Sequence, residues 1–256
     1  KLVPGMLTIL SFGIFGLLFR KITDGQYLND WLTTTLVAPL TNAADSLPFA
    51  ILIVFLVHGF WAVGLHGPNI LGGVTTPLFT SLGTKNTDLY AQGVAELDKY
   101  AILAGPFLVA FGYLGGSGAT LGLLIAMILA GRKRHKQMIA LGGPPGVFQI
   151  NEPLLFGMPI VLNPIWLIPF VAAPVVMTVV AYLAIDWGFV YPVVTASMPW
   201  VTPVGIGGYL ATGGHISGAV LALINLAISI VIYLPFVYIQ GKMEDKKLKD
   251  QQNTSA

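Results

Sequence analysis

The 256-residue sequence contains no cysteine. No disulfide, thiolate metal site or cysteine nucleophile can therefore form within it, and any thiol chemistry must come from a partner. Charge is almost as scarce: 9% of the residues are Asp, Glu, Lys or Arg, where an ordinary soluble domain carries about a quarter. The formal net charge of +2 and a sequence pI near 8.8 come from a few basic clusters. A broad basic surface is lacking, which sets nucleic acid aside as a partner. Four histidines are present, His58, His66, His135 and His215. No two of them stand at i, i+4 and no carboxylate cluster accompanies them, so neither a metal site nor a cofactor is expected. Lys1 is not followed by the charged, apolar and small-residue succession of a cleavable signal, and the reading is of a fragment or a processed chain.

What the sequence does have is apolar length. Hydrophobic residues make up 55% of the chain and the mean hydropathy is +0.79. Several apolar segments approach the ~20 residues that cross a ~30 Å hydrocarbon core, the composition of a polytopic, all-α membrane protein. Val3 to Phe19 ends at Arg20 and Lys21, which mark a cytoplasmic end. In DGQYLNDWLTTTLVAPLTNAADSLP, Tyr27, Leu28, Trp31, Leu32, Leu36 and Leu40 recur at helical spacing among polar residues, the pattern of an amphipathic interfacial helix. Leu47 to Leu65 is long enough to span. Residues 67–99 are rich in Gly, Thr and Asn and carry Lys85, Asp88, Glu96, Asp98 and Lys99, so part of this stretch reads as solvated loop.

Tyr100 to Leu114 is apolar again, and GGSGATLG then breaks it before Leu121 to Ala130. The cluster GRKRHK, with Arg132, Lys133, Arg134 and Lys136 beside His135, is the strongest cytoplasmic marker; docking of an acidic or phosphorylated partner there is a second use. From Gln137 to Gly241 the only charged residues are Glu152 and Asp186. Trp166–Ile185 and Ile216–Ile239 read as full spans. Residues 1–241 then form a single transmembrane transport domain, and residues 242–256 a polar cytoplasmic tail expected to be disordered.

Two segments, FQINEPLLFGMPIVLNP and PWVTPVGIGGYLATGGH, are apolar but too broken by Pro and Gly to cross. Non-helical backbone survives at membrane depth only where it is buried in protein or lines a watery cavity, and interrupted segments of this kind mark binding sites in transporters. They read as two re-entrant hairpins. Glu152 lies in the first. An acid there costs roughly 2.5 to 3.5 kcal/mol on insertion scales, so a functional use is the default; a helix cap on the turn begun by Pro153 is the plain alternative, and both can hold together. His66, in HGPN with Asn69, is a ligand or acid–base candidate, against a plain backbone-bonded histidine. His58 is read as structural. Trp61 and Trp200 are either interfacial anchors or stacking platforms for a sugar ring. GGSGATLG lacks the Gly-Lys-Ser/Thr ending of a phosphate loop, and its small residues suit close helix packing or backbone approach to a ligand.

Taken in order, WAVGLHGPN, GGSGATLG, NEPLLFGMPIVLNP and PWVTPVGIGGYLATGG resemble the sugar-translocating IIC component of the bacterial phosphoenolpyruvate phosphotransferase system (PTS), in its lactose, cellobiose and diacetylchitobiose branch. The resemblance covers essentially the whole sequence and corresponds to the C-terminal, substrate-binding part of such chains, without the N-terminal helices that supply much of their dimer contact. It implies a multi-pass permease of the bacterial cytoplasmic membrane, homodimeric at full length, that translocates a disaccharide for phosphorylation at C6 by a phosphocysteine on a separate EIIB protein. That partner fits the absence of cysteine here. It also implies that Glu152 and His66 face the hydroxyl that is phosphorylated and that Trp61 and Trp200 line the sugar site, with Asn69, Asn151, Gly116 and Ser117 as further contacts. The phosphoryl donor residue lies on EIIB, so whether the chain by itself counts as an enzyme stays open. A rival without a partner is a proton-coupled sugar symporter in which Glu152, its pKa raised by burial, carries the proton; a third reading is a non-transporting membrane scaffold.

Overall fold

The computed structural model describes residues 2–32, 34–35, 40, 43–158 and 160–254, and the regular structure among them is helical throughout. The chain divides into two compact units, residues 1–43 and 44–256. In the first, α1 (Leu2–Ile22) is one of three helices among the described residues that are long and apolar enough to cross a membrane. It stops where Gly25, at φ 90°, turns its N–H back to the Arg20 carbonyl, an end that favours glycine. The short helix α2 (Leu28–Leu32) follows, and Trp31 packs edge-on against Phe19 with ring centroids 5.7 Å apart. Of the expected amphipathic stripe, the helix holds Leu28, Trp31 and Leu32; Leu36 lies outside the described residues.

The second unit opens with α3 (Leu47–Ala62), whose first turn is capped by the Ser46 hydroxyl accepting the Phe49 N–H. At 16 residues it ends short of the expected span to Leu65, because Gly64, at φ 84°, breaks the helix. Most of the stretch read as partly loop is instead the 25-residue α4 (Gly67–Ala91). His66 accepts the Asn69 N–H at its start, Pro68 suits the first turn, and the Thr75, Thr84 and Thr87 hydroxyls bond carbonyls four residues back. These local bonds absorb the polarity that reads as loop in sequence.

After a loop, residues 100–119 run irregularly through a single π turn, Leu108–Gly112, to α5 (Thr120–Ala130), α6 (Lys136–Val147), the one-turn α7 (Glu152–Gly157), α8 (Pro164–Asp186), the short α9 (Ile206–Ala211) and α10 (Ile216–Thr254). The spans expected at 166–185 and 216–239 fall within α8 and α10, the other two helices long and apolar enough to cross. α10 packs on α5 and α8, and α8 on α3, around a core that includes Phe107, Phe111, Trp166, Phe170 and Tyr233.

The tail departs from expectation. α10 continues through residues 242–254, and its polar end is tied to the basic turn: Arg132 reaches Asp245 at 2.9 Å and Arg134 reaches Glu244 at 2.8 Å as well as Asp245. A 240–244 side-chain bond adds to the helix, Gln240 Nε2 donating to Glu244 at 2.9 Å. Opposite charges in register across two elements order a segment that composition alone reads as solvated. His135, buried under this turn, is held below the ordinary imidazole range mainly by burial.

Side chains bond much of the irregular backbone. Asn86 on α4 donates to the carbonyls of Ala101 and Val193, both at 2.7 Å, and accepts the Ala101 N–H at 2.8 Å. Thr87 donates to the Val194 carbonyl, Asn225 on α10 to those of Phe111 and Met177, and Asp45 accepts the N–H groups of Ile102 and Leu103. Replacing Asn86 by Leu strips partners from three buried backbone groups and should cost about 3 kcal/mol or more. Thermal unfolding in detergent should show N86L well below wild type, and T84V, which removes only a bond within α4, close to it. Equal midpoints for N86L and wild type would contradict this role.

Candidate functional site

The site is built where two stretches of irregular chain meet. The loop 115–119 carries positive φ at Gly115, Gly116, Gly118 and Ala119. Gly116 must be glycine for space as well as conformation: a Cβ there would come within 2.7 Å of the Asn151 carboxamide carbon and the Gln149 carbonyl oxygen. Several polar groups of the loop are held by side chains. The Gly118 N–H donates to His58 Nε2 at 2.7 Å, His58 Nδ1 bonds the Val54 carbonyl at 2.6 Å, and the Tyr233 hydroxyl donates to the Gly118 carbonyl at 2.6 Å. His58 is thus committed on both nitrogens to backbone. Asn151 Nδ2 donates to the Ser117 carbonyl at 2.6 Å, and Thr120 closes the loop on the Gly115 carbonyl.

Gln149 is the residue that sequence reasoning missed. It is 6% exposed, at φ 68°, and its Oε1 accepts the N–H groups of both Gly115 and Gly116 while Nε2 donates to the Thr202 carbonyl at 3.1 Å. One carboxamide therefore joins the glycine loop, the segment leading into Glu152 and the segment that bears Trp200. Its place three residues before the only acid of that segment was the available signal, but a neutral glutamine in an apolar run carries no cost that draws attention to it.

These segments enclose a cavity of about 420 Å³ whose walls include all eight residues singled out in the sequence: Trp61, His66, Asn69, Gly116, Ser117, Asn151, Glu152 and Trp200. Pro68, Val109, Tyr113 and Gln149 complete the lining. Trp61, 4% exposed, forms a buried wall against His66, with ring centroids 4.7 Å apart, whereas Trp200, 57% exposed, stands at an open side. His66 Nδ1 accepts the Asn69 N–H at 3.2 Å, so a neutral His66 ring carries its proton on Nε2, as a donor. Glu152 opens α7 at the helix's positive end, ahead of Pro153, and among the described residues its carboxylate has no hydrogen bond or ion pair. Trp61 Nε1 and the Tyr113 hydroxyl are buried without a partner among the described residues.

The cavity thus offers a carboxylate acceptor with no partner among the described residues, the Nε2–H donor of a neutral His66 and aromatic faces within one small volume. That is the complement of a polyol ring, with hydroxyls at its rim and C–H bonds on its faces. The carboxyl of Q149E keeps the acceptor but, when ionised, has no donor for Thr202. A buried carboxyl is protonated more readily than a solvated one, and its protonated form restores the donor. The ratio of Q149E to wild-type ligand affinity should therefore be low at neutral pH and rise as the pH is lowered. A ratio that does not change with pH would contradict this positioning role.

Residues 1–174 match the family described as "Phosphotransferase system, EIIC". The chain is 38% identical to the PTS system cellobiose-specific EIIC component of Lactococcus lactis subsp. lactis (strain IL1403), covering 96% of this chain and 53% of that protein. It is 38% identical to the lichenan permease IIC component of Bacillus subtilis (strain 168), covering 98% and 54%. Its structure is similar to the crystal structure of the transporter ChbC, the IIC component from the N,N'-diacetylchitobiose-specific phosphotransferase system. The TM-score is 0.80 and the identity 40%, over 97% of this chain and 57% of that one. The chain thus spans about half the length of the relatives it matches. Over that length, the chain belongs to the EIIC family of the phosphotransferase system.

Proposed function

We propose that this chain is the sugar-binding part of a PTS permease, with residues 1–241 as its transport domain. It would sit as a multi-pass protein in a bacterial cytoplasmic membrane and pair as a homodimer in a longer chain. On this reading the segments 148–164 and 199–215 are re-entrant hairpins and the stretch after α1 is an interfacial helix; Pro159, which with Pro164 would turn the first hairpin back, lies outside the described residues. The ligand is a β-linked disaccharide of the cellobiose, lactose or diacetylchitobiose type, in keeping with the sugars for which the relatives are named. The observation that carries the reading is the convergence of Trp61, His66, Asn69, Asn151, Glu152 and Trp200, drawn from separate segments, on one cavity whose acid has no partner among the described residues.

The chemistry follows from that arrangement. The sugar's C6 oxygen attacks phosphorus on the phosphocysteine of EIIB, the S–P bond breaks, the thiolate leaves with EIIB, and the hydroxyl proton passes to Glu152. His66 Nε2–H donates to the same oxygen or to a phosphoryl oxygen. Phosphoryl transfer needs position and charge stabilisation more than covalent help, and a cavity fixed by backbone hydrogen bonds supplies position. The product is an anion that cannot easily recross the membrane, so phosphorylation traps it.

E152Q should lower EIIB-dependent sugar phosphorylation by about 10²- to 10⁴-fold, the usual scale for a general base, in a protein with wild-type thermal stability. Wild-type turnover in E152Q would contradict the assignment. Uptake that collapses with the proton gradient and ignores EIIB would instead identify a symporter.

A further inference from the structure

The basic turn that follows α5 puts its arginines and its lysines to different uses. Arg132 and Arg134 are committed to α10: they pair with Glu244 and Asp245, and Arg134 also donates to the Gly241 carbonyl at 3.3 Å. The Arg132 guanidinium lies so close over Gly241 that a Cβ there would collide with it. Lys133 and Lys136 on the turn and Lys242, next to Gly241, are exposed, and none of them has an acidic partner among the described residues. The arginine contacts therefore gather three uncompensated ammonium groups onto one small surface. Apolar side chains flank it. Ile128 and Leu129 lie in the last turn of α5, Leu141 on α6 and Met243 beside Lys242, and all four are exposed.

Resting on the membrane reading above, we propose that this surface binds an anionic phospholipid, its phosphodiester on Lys133, Lys136 and Lys242 and its acyl chains against Ile128, Leu129 and Leu141. Lysine suits that position, with an apolar stem for the hydrocarbon side and a charged head for the headgroup layer. The exposed apolar residues favour lipid over an acidic soluble partner, which would leave them in water. The charges point the same way. Guanidinium forks match a carboxylate or phosphoryl group in two-bond geometry, and here both forks are already taken by Glu244 and Asp245. What remains are compact point charges that attract a negative surface without fixed geometry. A lipid held there bridges the turn and α10, and so steadies the far end of the helix that supplies Asn225 and Tyr233.

The test is titration of the detergent-solubilised protein with dioleoyl-phosphatidylglycerol and, in parallel, dioleoyl-phosphatidylcholine, with bound lipid counted by native mass spectrometry. Wild type should prefer phosphatidylglycerol by about tenfold or more, and the preference should shrink as salt is raised. K136Q should lose about fivefold of it, the usual worth of one lysine at an anionic surface. The triple variant K133Q/K136Q/K242Q should keep less than about twofold. K85Q removes one exposed charge from α4, outside this surface, and should bind as wild type does. In nanodiscs, phosphatidylglycerol should raise the thermal midpoint of wild type over that in phosphatidylcholine alone, and should not raise that of the triple variant. A wild type that binds the two lipids equally, or a triple variant that keeps the preference, would overturn the proposal and leave the sugar site untouched. So would EIIB binding, measured in phosphatidylcholine nanodiscs, that falls in the triple variant while the lipid preference stays, since the lysines would then serve the soluble partner. No sugar is needed for the lipid measurement, so a protein that prefers phosphatidylglycerol and binds no disaccharide would uphold this proposal while contradicting the sugar-binding one. A chain that stays in solution without detergent would overturn both.

Discussion

A hydrocarbon core offers backbone N–H and C=O groups no partner, and this requirement shapes the whole second unit. Helices meet it within themselves. The irregular stretches at 100–119 and 190–205 meet it in part through side chains reaching out of neighbouring helices: Asn86 and Thr87 from α4, Asn225 and Tyr233 from α10 and His58 from α3. Asn86, Asn225, Tyr233 and His58 are buried, and each carries a bond worth far more to lose than to make, because removing one partner leaves the other desolvated and unpaired. Irregular backbone is retained at this cost because it can do what a helix cannot, namely bring Gly116 within contact distance of Asn151 and open a cavity between them.

The same accounting separates scaffold from site. Gln149, His58 and the Nδ2 of Asn151 are committed to backbone and hold the walls. Among the described residues the Glu152 carboxylate, Trp61 Nε1 and the Tyr113 hydroxyl have no partner, and the carboxylate retains its hydrogen-bonding capacity for something else. Preorganisation of this kind lets binding energy go to the ligand without first ordering the site. The ion pairs joining Arg132 and Arg134 to α10 play a corresponding part at the basic turn, where they fix the far end of the helix that supplies Asn225 and Tyr233.

The sequence made some of this visible and hid the rest for physical reasons. The long spans α8 and α10 stand out because twenty apolar residues have few other uses, and Glu152 stands out because an acid in such company is costly. Residues 67–91 looked partly like loop because their threonines and glycines are polar or small; their helicity comes from the His66 cap and from hydroxyls bonding within the helix, which composition does not register. The helical tail depends on Arg132 and Arg134, more than a hundred residues away in sequence. Gln149 was not singled out, since beyond its place near Glu152 what distinguishes it is where its polar atoms end, a property of the folded chain.

The central claim is that the cavity between the glycine loop and α7 holds a β-linked disaccharide. Calorimetric titration of cellobiose, lactose and diacetylchitobiose into the detergent-solubilised protein tests it most directly. The account predicts saturable binding of at least one of them at one site per chain, displaced by no sugar that lacks the β linkage. A folded protein that binds none of the three would contradict it, and the family relationship would then account for the fold without the ligand.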